Sequence, residues 1–132
     1  MNATLLVAHG SRREASNEEV RQMAVQLASY LPLDEVVAVA FLEMGEPNIP
    51  ATIAAAVAKG ATQLTVIPYF LAAGAHVVKD IPAILATASD QFPKVTIKLV
   101  PHIGAAALMP QLIADALQSH QENASQLRKP PR

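Results

Sequence analysis

The chain has 132 residues, a formal net charge of −1, 52% hydrophobic and 4% aromatic residues, and no cysteine. That length fits one domain with a single core, and a charge this close to zero offers no basic field for a nucleic-acid backbone. The missing cysteine excludes disulfides, thiolate nucleophiles and thiolate metal ligands, and is compatible with a cytoplasmic setting.

In chain order, the first apolar run, Ala3 to Ala8, lacks a basic flank and an extended apolar region, so it reads as a buried strand and not as a signal peptide. Charges, prolines and glycines interrupt every later run before the ~20 residues a bilayer crossing needs, and no membrane partner is expected. A helix is predicted from about Ser16 to Tyr30, with Val20, Met23, Ala24 and Leu27 on one stripe. The second strand is placed at Val36 to Phe41. The second helix starts at a capping Asn48 with Pro50 in its first turn, and ends at Gly60 in a left-handed conformation.

The third strand is placed at Leu64 to Tyr69, and the third helix starts at Asp80 before Pro82, or nearer His76, and runs to about Ser89. The fourth strand spans Val95 to Val100. A fourth helix, Ala106 to His120, is expected to bury Leu108, Leu112, Ile113, Ala116 and Leu117, with His120 at its C-terminus. Residues 3–120 form the domain and 121–132 a flexible tail. Strands alternating with helices, and nearly continuous in Val, Ile, Leu and Ala, predict an α/β fold: one four-stranded parallel sheet with helices on both faces.

In such a fold the ligand crevice lies beyond the carboxyl ends of the strands. His9, Glu43 and His76 each follow a predicted strand, 34 and then 33 positions apart, so all three fall on that edge, as does His102. Imidazole and carboxylate suit divalent first-row ions, and three such ligands leave coordination positions open, as in a reactive metal site. Each residue alone also admits a structural role: a packed His9, a solvated Glu43 beside Glu46, a helix-start His76 near Asp80. His102 is a spare ligand or proton carrier whose neighbours add no further chemical group. Ser11, Arg12, Arg13 and Lys79 lie in the loops of His9 and His76 and are candidates for binding ligand carboxylates, with plain surface charge as the alternative for the cations.

LLVAHGSR, AFLEMGEPNI and IPYFLAAGAHVVKDIP, in this order and spacing, resemble the small form of the CbiX/SirB sirohydrochlorin chelatases, class II tetrapyrrole chelatases. The resemblance spans about residues 3 to 117. It implies ATP-independent insertion of Co2+, Fe2+ or Ni2+ into sirohydrochlorin, on routes to cobalamin, siroheme or related cofactors. It further implies the metal as substrate with no permanent cofactor, metal-site and catalytic histidines at His9 and His76, an acidic ligand at Glu43, and a homodimer. The loop departs from the family pattern at Ala73 and Ala75, where many relatives carry a proline before the glycine and a basic residue before the histidine. Two other functions use similar residues. A non-enzymatic metal or tetrapyrrole carrier needs the same ligands, and a histidine-nucleophile phosphotransfer enzyme needs an arginine where Ala8 stands.

Overall fold

The computed structural model describes residues 1–127, without the side chains of His76 and of residues 121–127. Strands β1 (Asn2–Ala8), β2 (Val36–Phe41), β3 (Gln63–Pro68) and β4 (Thr96–Leu99) alternate with helices α1 (Glu14–Ala28), α2 (Ile49–Ala58), α3 (Ile81–Gln91) and α4 (Met109–Leu127). A π-helical turn, His76–Asp80, precedes α3, and a 3-10 turn, Ile103–Ala105, precedes α4.

All strand pairs are parallel, in the order β2-β1-β3-β4. The chain leaves β1 toward β2 on one side and returns to β3 on the other, so the winding reverses beside β1. A ligand crevice opens at such a reversal, beyond the strands' carboxyl ends. The register sets Leu5 opposite Ala38 and Val66, and Val7 opposite Ala40 and Pro68. Residues in register share a face of the sheet. Ala3, Leu5, Val7, Ala40, Leu64 and Val66 therefore meet Ile49, Ile53 and Ala56 of α2 and Ile81, Leu85 and Ala88 of α3 in one core. Full burial of a Leu, Ile or Val side chain contributes about 1.5–3 kcal/mol, and this cluster supplies most of such burial. On the opposite face α1 lies over β2, where Ala24, Ala28, Val37 and Val39 line one groove.

Local chemistry explains most of the boundaries. Asn48 accepts the Ala51 N–H at 2.9 Å, Pro50 sits in the first turn of α2, and Gly60 ends it with φ +104°. The first helix begins at Glu14, earlier than expected, with an acidic residue where the positive end of the helix dipole favours one. Of its predicted stripe, Ala24 is buried, Val20 and Leu27 are half-buried and Met23 is exposed. Asp80 does not start the third helix by capping: its backbone is already helical and its side chain makes no capping bond. The helical path begins at His76 instead. Pro82 has no N–H to return to residue 78, and a wide turn before it accommodates the ring.

The fourth helix departs most from expectation. Leu108 is 77% exposed, Leu112 and Leu117 59% and Ile113 54%, and Ala116 is also exposed. The reason is geometric: among the described residues α4 packs mainly on the 3-10 turn before it. Its amphipathic period marks a face that needs cover, and this chain's own sheet does not supply it. Accordingly Thr96, Lys98 and Leu99 of β4 are exposed, and Thr65 and Ile67 of β3 only half-buried. The helix also continues past His120 to Leu127, so His120 lies inside it and not at its end. Of the tail expected over 121–132, residues 128–132 lie outside the described residues.

Candidate metal centre

His9 directly follows the central strand and Glu43 lies just past its neighbour. Backbone pairing runs beyond both strand ends: Leu42 N–H donates to the Ala8 carbonyl and Glu43 N–H to the His9 carbonyl, each at 2.9 Å. Gly10, at φ +95°, permits the close crossing of the two turns, and Met44, at φ +52°, is a left-handed residue with a side chain. The left-handed conformation costs a non-glycine roughly 1–2 kcal/mol, and the Met44 carbonyl accepts a hydrogen bond from Asn17 Nδ2 at 3.3 Å that helps to hold it.

His9 Nδ1 lies 3.1 Å from the Gly10 carbonyl oxygen. That oxygen can only accept, so Nδ1 is the donor in this contact. Nε2 stands 3.8 Å from Glu43 Oε1, with 36% of the histidine and 49% of the glutamate side chain exposed. This gap exceeds a hydrogen bond and falls just short of two metal–ligand bonds laid end to end, about 4.2 Å. One small cation fits between the two atoms at bond distance from both, open to the crevice. No third His, Asp or Glu joins them among the described side chains. The side chain of His76, the third expected ligand, lies outside the described residues; its backbone opens the π turn after the loop that leaves β3. Because β1 lies between β2 and β3, the loops carrying His76 and Glu43 flank His9 on opposite sides.

The remaining predicted residues distribute unevenly around this pair. The Ser11 hydroxyl oxygen accepts the Arg13 N–H at 3.0 Å, so it stabilises its own turn. Arg12, Arg13 and Lys79 are exposed. His102 is half-buried at the start of the 3-10 turn, beyond β3 from His9. That turn is tied to the crevice: Gly104 N–H donates to the Phe70 carbonyl at 3.0 Å, and a Cβ on Gly104 would lie 1.8 Å from the Leu71 carbonyl oxygen.

Two further residues, both on α1, escaped the sequence reading. Asn17 is 2% exposed and bonds to Ser11 and Met44. Arg21 pairs with Glu14 and Glu18, donates to the Glu46 carbonyl at 3.3 Å, and stands 5.4 Å from the Phe41 ring centroid. The Arg21 hydrogen bond, helped by Asn17, holds the Glu14 carboxyl below its usual range. The bond from Gln22, and then Arg21, does the same for Glu18. The one signal in the sequence was an asparagine, a poor helix former, inside a helix.

The model of the CbiX family matches residues 3–120. The chain belongs to the CbiX family. Among similar proteins, a sirohydrochlorin cobaltochelatase of Methanococcus aeolicus is 40% identical over 85 residues, 64% of this chain and 59% of that protein. The chloroplastic sirohydrochlorin ferrochelatase of Arabidopsis thaliana is 32% identical over 117 residues, 86% of this chain and 50% of that one. The aligned part of this CbiX chain thus spans between half and three-fifths of these relatives. A CbiX protein from Marinobacter aquaeolei superposes with a TM-score of 0.81 at 30% identity, covering 93% of this chain and 99% of that one. The sirohydrochlorin chelatase SirB of Bacillus subtilis subspecies spizizenii, in complex with cobalt, superposes at 0.79 with 29% identity, over 89% of this chain and 50% of SirB. The expected four-stranded parallel α/β architecture is thereby shared with other CbiX and SirB proteins. No helix among the described residues is long and apolar enough to cross a membrane.

Proposed function

We propose that this CbiX chain inserts a divalent metal, Co2+ or Fe2+ with Ni2+ as a further choice, into sirohydrochlorin without ATP. The observation that carries the reading is the His9–Glu43 pair, an imidazole Nε2 and a carboxylate oxygen 3.8 Å apart past the carboxyl ends of neighbouring strands. The names of the relatives, cobaltochelatases and ferrochelatases of sirohydrochlorin, point the same way. The metal is substrate, and no resident cofactor enters the reaction.

Insertion exchanges two pyrrole N–H protons for one dication, so the site must both deliver the ion and take up protons. Glu43 and His9, with His76 as third ligand, strip water from the ion and hold it against the ring. His9 and His76 then accept protons as the ion passes to the ring nitrogens. Arg12, Arg13 and Lys79 offset the carboxylates of the macrocycle, and Ser11 keeps their turn in shape. A second copy of the chain forms the opposite wall of the cleft. Two observations support that dimer: the uncovered apolar face of α4, and the match of nearly all of this chain to only half of SirB. The reaction is assigned to the cytoplasm, a compartment suited to a cysteine-free chain.

The test mixes purified protein anaerobically with sirohydrochlorin and Co2+, Fe2+ or Ni2+ in turn and follows the absorption spectrum. Metal must enter the ring faster than without protein, through many turnovers at substoichiometric protein. A stoichiometric burst would identify a carrier instead. His9→Ala and His76→Ala should each abolish insertion in a folded protein, and full turnover in both would overturn the reading.

A further inference from the structure

The first helix holds a polar group that the reaction does not use. Asn17 lies at the fourth position of α1, buried to 2% exposure, where an asparagine weakens the helix. It does not cap that helix: the capping position is Arg13, which makes no side-chain capping bond. Its carboxamide instead faces the two turns that carry His9 and Glu43. Oδ1 accepts the Ser11 N–H at 2.9 Å, while Nδ2 donates to the Ser11 carbonyl at 2.9 Å and to the Met44 carbonyl at 3.3 Å. A weaker contact reaches Glu14 Oε2 at 3.4 Å. Ser11 is two residues past His9, and Met44 is the residue after Glu43, held in its left-handed conformation.

We infer that Asn17 is a positioning residue for the metal substrate: it clamps the Ser11 and Met44 turns together and so sets the His9–Glu43 separation without touching the ion. The inference rests on the reading that His9 and Glu43 hold that ion. The two ligands come from separate turns whose last backbone link is the Glu43-to-His9 bond, and beyond that link the side chain of Asn17 spans both turns. Its loss lets the turns part, and a pair of ligands whose spacing is free binds a cation less tightly. Groups that orient ligands from outside the coordination sphere commonly change metal affinity about 10–100-fold when removed.

The experiment titrates Co2+ into wild-type protein, Asn17→Ala and Asn17→Asp, by calorimetry and by the visible d–d absorption of the bound ion. The KM for metal and for sirohydrochlorin are measured separately. Asn17→Asp is isosteric but replaces the donors to two carbonyls by a repelling oxygen. Thr52→Ala is the control, since Thr52 is the other buried polar residue among the described residues and its hydroxyl donates to the carbonyl of Asn48, the cap of its own helix. The expected result is a rise of at least tenfold in the Co2+ Kd and in the metal KM for both Asn17 variants, with an altered d–d band and a smaller rise in the sirohydrochlorin KM, since Arg12 and Arg13 share the Ser11 turn. Thr52→Ala should lower thermal stability and leave the Kd unchanged. Folded Asn17 variants that bind Co2+ as wild type does would overturn the clamp alone. Unfolding of both would assign Asn17 to the fold and overturn it too. Wild-type protein that binds no Co2+ would overturn the metal-site reading beneath it.

Discussion

Gly10 and Glu43 touch so closely that a Cβ on Gly10 would lie 1.7 Å from the Glu43 carbonyl oxygen. Backbone here takes the place a side chain would fill, and the crossing of the two turns brings the imidazole and the carboxylate to one point. Gly10→Ala must both push the Glu43 turn away and adopt φ +95° with a Cβ. The left-handed strain alone costs about 1–2 kcal/mol, and the displaced carbonyl adds to it. Urea unfolding should show a loss of at least roughly 2 kcal/mol, and Co2+ titration should show the pair no longer binding as a unit. An unchanged Co2+ affinity would mean that the crossing does not shape the site.

Gly104 and Gly60 make a matched pair for the second wall of the crevice. Gly104 presses on the Leu71 carbonyl, whereas a Cβ on Gly60, left-handed at φ +104°, would meet nothing within 4 Å. Gly60→Ala should therefore cost only the conformational strain, about 1 kcal/mol, with full activity. Gly104→Ala displaces the loop between β3 and the His76 turn. Steady-state kinetics should show a several-fold higher KM for sirohydrochlorin, with metal binding at His9 and Glu43 preserved. Equal kinetics in the two variants would detach that loop from substrate binding.

Arg21 gives the fold an acid-sensitive contact. Glu14 and Glu18 are held below the ordinary carboxyl value of 4.5, and Arg21 contributes to both shifts. A carboxyl with a lowered native value binds fewer protons folded than unfolded, so its stabilisation is complete above the ordinary value and lost as pH falls through the lowered one. All three side chains face solvent, so screening keeps the effect small. Thermal unfolding of Arg21→Met should lie below wild type near pH 7, and the difference should shrink as pH drops below about 4.5. A difference constant from pH 7 to 3 would mean that Arg21 acts through its packing on Phe41 and not through its charge.

How much could be read before the fold was known follows from the range of each interaction. The second strand, Val36–Phe41, emerges within its predicted limits because a β-branched run between polar flanks needs no distant partner. The Asn48 cap, Pro50 and Gly60 are likewise local devices. His9 and Glu43 fell on one edge because parallel strands repeat at a βα interval, which topology enforces whatever the side chains do. Asn17 was not legible: its bond to Met44 bridges 27 positions and exists only because Gly10 lets the turns cross. Nor was the exposure of α4, since a 3.6-residue period says that a face is to be covered and never by which chain.

That uncovered face leads to the prediction on which the two-lobed cleft depends. Leu112, Ile113 and Leu117 form an apolar stripe on α4, and like Leu108 just before it they are more than half exposed. If the stripe were ordinary surface, Leu112→Lys with Leu117→Lys would leave the hydrodynamic size unchanged and stability within about 0.5 kcal/mol. If a second copy covers it, each buried leucine contributes about 1.5–3 kcal/mol to association, and in a two-fold dimer every substitution acts twice. The double variant should then weaken the dimer by at least about a hundredfold, an order set by those same burial energies. Sedimentation equilibrium should show wild type as a dimer at micromolar concentration and the variant as a monomer with unchanged far-UV circular dichroism. The variant's core, built from β1 to β3 with α2 and α3, does not involve α4, so the monomer should remain folded and retain Co2+ at His9 and Glu43. It should nevertheless lose metal insertion, because half of the cleft is gone. A wild-type monomer with full turnover would show that one lobe suffices.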